Sequence, residues 1–399
     1  MFDLSTAPEL SPDWLTGRLA QLVRIPSVNG VDSERAMAER IAELIEPTGC
    51  QLTFVETLPG RPSLAAVLEG GASGPRLVIN GHMDTVPPDD RALWSVDPFG
   101  GEVRDGAIWG RGAVDMKGGL VCQIACAHVL ARLRDQLRGT LVLHFAVGEE
   151  VGEPGTRSLL QAGFGGDLGI VTEPTGLRVA RAMRGVAYYQ VTLHGRSSHG
   201  GRAELGRNPL AALGDLLPAI ARYEQDLRSR TNPLFPPLTC TPTMARAGVQ
   251  QNAIADVCTL TLDRRMLPGE TSAGVLRELR DVVGAGLDPA REITFEVEQV
   301  HNVFEPCEIS ARAGIVTAAL EVVEAITGRR EEPYGTPYGS DVHDLIHRGG
   351  IEAITLGPGD IARAHAPDEY IGIDELATGA LIITTLAARL LGGQAPARD

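Results

Sequence analysis

Arg76-Leu77-Val78-Ile79-Asn80-Gly81-His82-Met83-Asp84 passes from an apolar run into a histidine and an aspartate, and the same change recurs twice further along. Thr140 to Val147 leads into Gly148-Glu149-Glu150, and Leu168 to Val171 leads into Thr172-Glu173-Pro174. Short apolar runs of this kind read as buried strands, so each strand delivers polar residues just past its carboxyl end. Open α/β sheets bind ligands in the crevice outside the carboxyl ends of parallel strands, where the connecting loops diverge. The three tips are therefore expected at one shared site. Met116 to Leu137 has helical spacing and supplies the alternation of strand and helix that such a sheet needs.

Upstream, Ser11 to Val23 and Ser33 to Ile45 read as helices, and Leu52 to Val55 and Leu64 to Leu68 as strands. From Gly185 the rhythm changes to strand (Val186 to His194), helix (Pro209 to Arg228), strands (Thr241 to Ala247 and Val257 to Met266), helix (Ser272 to Val283) and strand (Ile293 to Val300). That βαββαβ order predicts a ferredoxin-like module, residues 183–300, inserted into an α/β, mainly parallel-sheet domain formed by residues 1–182 and 301–399. A chain of 399 residues suits two domains, because single cores stop growing at about 250 to 300 residues. After the insert, Ser310 to Thr327 reads as a helix, Ala353 to Leu356 as a strand and Ile373 to Leu391 as an amphipathic closing helix, followed by a Gly/Ala/Pro tail.

The composition, 43% hydrophobic and 22% charged, is that of a globular protein. A net charge of −15 disfavours nucleic acid and anionic membrane as partners. The amino terminus, Met-Phe-Asp-Leu-Ser-Thr, shows no basic segment followed by an apolar run, and no stretch reads as the roughly 18 apolar residues of a membrane span, so cytoplasmic residence is expected. The six cysteines are dispersed without CxxC spacing; Cys122 and Cys126, one helical turn apart, read as buried thiols in a packed helix rather than as metal ligands.

Two histidines and several carboxylates stand in the polar tips and in Ala364-His365-Ala366-Pro367-Asp368-Glu369-Tyr370. Imidazole with carboxylate suits zinc or a neighbouring divalent ion, and a surplus of carboxylates suits two ions with a shared ligand. His82 reads as a ligand whose tautomer the Asp84 carboxylate fixes, against the alternative of a surface turn. Asp115, in Gly110-Arg111-Gly112-Ala113-Val114-Asp115-Met116-Lys117-Gly118-Gly119, has the room for a bridging aspartate; the alternative is a cap on the next helix. Of Glu149 and Glu150, one can bind metal while the other accepts a proton from activated water, against the alternative of a solvated acidic turn. Pro174 biases Glu173 toward an extended, outward posture, and His365 falls in a loop. His343 and His347 read as an ordinary helix face.

These motifs, in this order over nearly the whole chain, resemble those of the acetylornithine deacetylase, succinyl-diaminopimelate desuccinylase, aminoacylase and glutamate carboxypeptidase family of dinuclear zinc hydrolases. The resemblance implies two divalent ions, zinc foremost with cobalt or manganese as alternatives. His82 and Glu173 would hold one ion and Glu150 and His365 the other, with Asp115 between them, Glu149 as general base and a cis Asp115-Met116 peptide. It also implies a homodimer through the inserted lid: His199, in Ser197-Ser198-His199-Gly200-Gly201, would reach the partner's site and stabilise the oxyanion, although Ala203 stands where the family has proline. Asn252 and Arg265 would bind the substrate carboxylate, and Arg264, on the opposite face of its strand, would be structural.

The expected function is metal-dependent hydrolysis of the amide of an N-acylated amino acid, closest to acetylornithine deacetylase. A dipeptidase or glutamate-releasing carboxypeptidase is the alternative enzyme. A catalytically silent, metal-containing binding protein is the alternative of another class; the presence of Glu149 argues against it, because a carboxylate base is dispensable for binding alone.

Overall fold

The His82 strand, Ala72–His82, runs parallel to Arg138–Ala146 on one side and to Leu168–Val171 on the other, so the three polar tips emerge side by side. Glu352–Thr355 continues the parallel set beyond Leu168–Val171. The computed structural model describes Leu4 and residues 6–392; the Gly/Ala/Pro tail and most of the amino-terminal stretch lie outside the described residues.

The sheet is mixed, and parallel only at its centre. Gln51–Leu58 and Arg61–Glu69 form an antiparallel hairpin whose second strand pairs antiparallel with Arg138–Ala146. Its tight turn has Gly60 in the left-handed region, which links antiparallel strands but cannot carry a parallel crossover. On the far side Ala180–Met183 pairs antiparallel with Glu352–Thr355.

Gly118–Arg132 and the closing helix Ile373–Leu391 pack on each other beneath this sheet. Gly118–Arg132 is apolar around almost its whole circumference because it is enclosed, and Cys122 and Cys126 lie buried within it. With the irregular turn before it, the helical stretch Ala113–Arg132 reaches 20 residues and by length and composition alone is apolar enough to cross a membrane, contrary to the expectation that no stretch is. Since 94% of its most apolar 18 residues are buried inside the protein, its apolar surface is already used by the core.

Contacts divide the chain into two units, one of residues 1–182, 308–334 and 340–399, the other of residues 183–307 and 335–339. The second unit extends past the expected boundary at Val300 because its last strand, Thr294–Phe304, continues to Phe304. Its antiparallel sheet has the order Cys240–Ala247, Val257–Met266, Gly185–His194, Thr294–Phe304. Helices Pro209–Leu227 and Ser272–Gly286 bury the alternate residues Ala187, Tyr189, Val191 and Leu193. Apart from the two-residue strands Ser198–His199 and Ala253–Ile254, which pair with each other, strand and helix succeed one another in the order βαββαβ.

Candidate metal centre

The His82 ring sits at the end of its strand, 1% exposed, and is aimed from both nitrogens. Nδ1 lies 3.0 Å from the Asp84 carbonyl oxygen and 3.5 Å from the Asp84 carboxylate. The backbone carbonyl is thus the nearer partner of the ring, with the Asp84 carboxylate beside it. Nε2 is left facing Asp115 Oδ1 at 3.3 Å, Glu173 Oε1 at 3.5 Å and Glu149 Oε2 at 3.9 Å.

The Asp84 carboxylate has other work. It accepts the backbone N–H groups of Glu149 and Glu150, each at 3.1 Å, and the side-chain amide of Asn29 at 2.7 Å. Burial opposes its charge, but these donors and His82 hold it below the usual carboxylate range. Asp84 therefore ties the tip of one strand to the tip of its parallel neighbour.

Asp115 does not cap the next helix. Its φ and ψ of −122° and 95° are non-helical, Gly112 before it takes φ of 81°, and the Asp115-Met116 peptide is cis. The carboxylate points instead toward both histidines: Oδ1 faces His82, and Oδ2 lies 3.3 Å from His365 Nε2. Glu150 Oε2 approaches the same His365 nitrogen at 3.0 Å. His365 is half-exposed with φ of 59°, and its hydrogen bonds with Asp115 and Glu150 push its imidazole up to about 10.

Two sets of donor atoms are close enough to share an ion, His82 with Glu149 and Glu173, and His82 with Asp115 and Glu150. The chemistry of these donors fits hard or borderline divalent cations. Among the described residues the carboxylates of Asp115, Glu149, Glu150 and Glu173 form ion pairs only with imidazoles, and no arginine or lysine neutralises them. Burial pushes Glu149 and Glu173 well above the usual range, and neighbouring carboxylates add to that shift. Four buried carboxylates facing only two imidazoles call for further positive charge.

Further polar groups, to which the sequence pattern assigned no role, surround the site. Glu369, in the His365 motif, accepts the N–H groups of Val114 and Asp115 and pairs with buried Arg111. Asn29 holds the Asp84 carboxylate. Asp341, buried, accepts a 2.6 Å hydrogen bond from Thr156, which in turn accepts from Asn80 at 2.6 Å; burial pushes its carboxyl up to about 7. Lys117 is wholly buried, donates to the Ile25 carbonyl at 3.0 Å and is brought down to about 7 by burial.

In the second unit, His199 is exposed and its Nδ1 accepts the Gly201 N–H at 3.0 Å, which puts the proton of the neutral ring on Nε2. The Gly200 N–H donates to the Asn252 carbonyl at 2.7 Å, so the His199 and Asn252 loops adjoin. Arg265 is paired with Asp263 through Nε at 2.9 Å and Nη2 at 3.0 Å, while Arg264 is fully buried with Glu270. His343 is buried, and burial brings its imidazole down to about 4.

Comparison with known proteins accords with this geometry. A deformylase of Halalkalibacterium halodurans acting on N-formyl-4-amino-5-aminomethyl-2-methylpyrimidine is 29% identical, over 94% of this chain and 95% of its own. A succinyl-diaminopimelate desuccinylase of Rhodospirillum centenum is 32% identical, over 94% and 97%. Other relatives bear the name acetylornithine deacetylase. The fold is shared with an M20 family metallo-carboxypeptidase of Sulfolobus solfataricus, with a TM-score of 0.76 at 20% identity over 94% of this chain and 98% of that one. The profile of Peptidase family M20/M25/M40 matches residues 78–389, and the chain belongs to that family of hydrolases.

Proposed function

We propose that this chain hydrolyses the amide bond of a small N-acylated amino acid or amine, with two divalent cations, zinc foremost, held by His82, Glu173, Asp115, Glu150 and His365. The observation that carries the reading is Asp115 presenting one carboxylate oxygen to each histidine. Such cations supply Lewis acidity to the amide carbonyl and to the attacking water. Glu149, buried beside them and raised by that burial, takes the water's proton and returns it to the leaving nitrogen.

The second unit is proposed as a ferredoxin-like lid through which two copies pair. Cys240–Ala247 is an edge strand with exposed residues from Thr241 to Arg246, and Leu210 and Leu217 stand exposed seven residues apart on one helix face. The Nε2–H of His199 has the donor character that an oxyanion in a partner's site needs. Arg265 with Asn252 would take the substrate carboxylate through guanidinium hydrogens that Asp263 does not use. Six unpaired thiols support residence in a reducing compartment such as the cytoplasm.

The test is hydrolysis of acetylornithine, succinyl-diaminopimelate, the N-formyl aminopyrimidine and a dipeptide panel by protein loaded with zinc, cobalt or manganese. Turnover of an acyl or formyl amide above that of dipeptides is expected. Preference for dipeptides would favour the peptidase alternative, and inertness toward all of them the binding-protein one.

A further inference from the structure

We propose that Glu369 is a positioning residue that locks the Asp115 loop to the His365 loop, so that the cation between Asp115, Glu150 and His365 depends on it more than the cation at His82 and Glu173 does. This rests on the proposed two-cation site.

Glu369 is 1% exposed and spends every acceptor on the segment that presents Asp115. Its Oε1 accepts the N–H groups of Val114 at 3.0 Å and Asp115 at 3.2 Å, its Oε2 accepts Arg111 Nη1 at 2.6 Å, and its backbone carbonyl accepts the Gly110 N–H at 2.9 Å. Arg111 is equally buried. Among the described residues its Nε and Nη2 have no hydrogen-bond partner, and its guanidinium lies 5.2 Å over the Trp94 ring. The charge of Arg111 thus relies on Glu369, and Glu369 is held rigid by it.

The same glutamate stands four residues after His365, on a segment anchored independently. The Ser95 N–H donates to Asp368 Oδ1 at 2.7 Å, and Tyr370 pairs with Trp109 through backbone and stacked rings 4.4 Å apart. Arg104 covers Trp109 at 4.5 Å and Arg363 covers Tyr370 at 4.2 Å. His365 is half-exposed in a positive-φ loop, so its position comes from these anchors rather than from core packing. His82 ends its strand and Glu173 follows another, both strands hydrogen-bonded side by side, and among the described residues no hydrogen bond or ion pair joins either residue to Glu369.

Metal-stripped protein titrated with Co2+ and followed by visible absorption distinguishes the two sites. Wild type is expected to take two ions. Glu369→Ala should bind the first as wild type does and the second about 10- to 100-fold more weakly, with an altered absorption band. The neutral pair R111Q/E369Q keeps an acceptor for the Val114 and Asp115 N–H groups and should restore the second ion. Should Glu369→Ala not fold, Glu369→Asp, which withdraws the carboxylate by one methylene, carries the same expectation. Wild-type binding of both ions by the single variant, or equal weakening of both ions without restoration by the pair, would overturn the inference. A wild-type chain that takes only one ion would overturn the two-cation reading and this inference with it.

Discussion

Asp115 Oδ2 lies 3.3 Å from His365 Nε2 while its other carboxylate oxygen lies at the same distance from His82 Nε2. A carboxylate divided in this way between two imidazoles from distant parts of the chain is in the posture of a shared ligand. In the absence of cations the contact is a hydrogen bond, and the His365 proton is what a cation must displace.

That competition sets a pH dependence. Hydrogen bonds to Asp115 and Glu150 raise His365 from 6.5 to about 10 in the folded protein. A raised imidazole stabilises the metal-free fold fully below its unfolded value near 6.5, and the stabilisation is lost as pH rises through about 10. Cation uptake at neutral pH should therefore release protons, and apparent affinity should increase from pH 6 toward pH 10. Calorimetry in buffers of different ionisation heat measures the proton count; no release at pH 7 would contradict the assignment of His365.

Asp84→Asn removes an acceptor from one of the two N–H groups that begin the Glu149-Glu150 turn. The unmet donor costs about 1–3 kcal/mol of stability, and the shift of both glutamates should weaken cation binding by about 10- to 100-fold. Thermal melting and metal titration of the same preparation check both. Unchanged affinity would mean that the turn holds its position without Asp84.

Gly119→Ala tests how closely the buried helix approaches the Glu173 tip. An added Cβ would meet the Thr172 carbonyl oxygen at 2.2 Å and its hydroxyl at 2.8 Å, one residue before Glu173. Overpacking of this kind costs about 1–3 kcal/mol, read as a lowered Tm, and turnover should fall with it. An unaltered Tm would show that the tip yields freely.

Glu149→Ala separates chemistry from binding. Both cations should remain and kcat should fall by about 10²- to 10⁴-fold, the worth of a positioned acid–base group. Near-normal turnover in the fully loaded variant would remove Glu149 from the reaction.

The long apolar strands and their polar tips were legible: His82, Glu149, Glu150 and Glu173 stand at or just past strand ends that the structure places side by side. Strand direction was less so, because a buried run has the same pattern in either orientation; the two-residue turn at Pro59-Gly60 was the signal for the antiparallel hairpin. The three-residue strands Glu102–Arg104, Ala107–Trp109 and Tyr370–Gly372 are too short to show periodicity, although they anchor the His365 segment. Glu369 and Asn29 act through hydrogen bonds to partners far along the chain, and nothing local to either residue records that. The spacing of His82 and Asp84 did bring them together, with carbonyl and carboxylate both facing the ring, but it did not show that the carboxylate also takes two backbone donors.

The most direct measurement is anomalous diffraction at the zinc edge from crystals of protein grown with zinc. Two peaks about 3.5–4 Å apart are predicted, one beside His82 and Glu173, the other beside Glu150 and His365, with Asp115 contacting both. A single peak, or a pair that Asp115 does not join, would contradict the account.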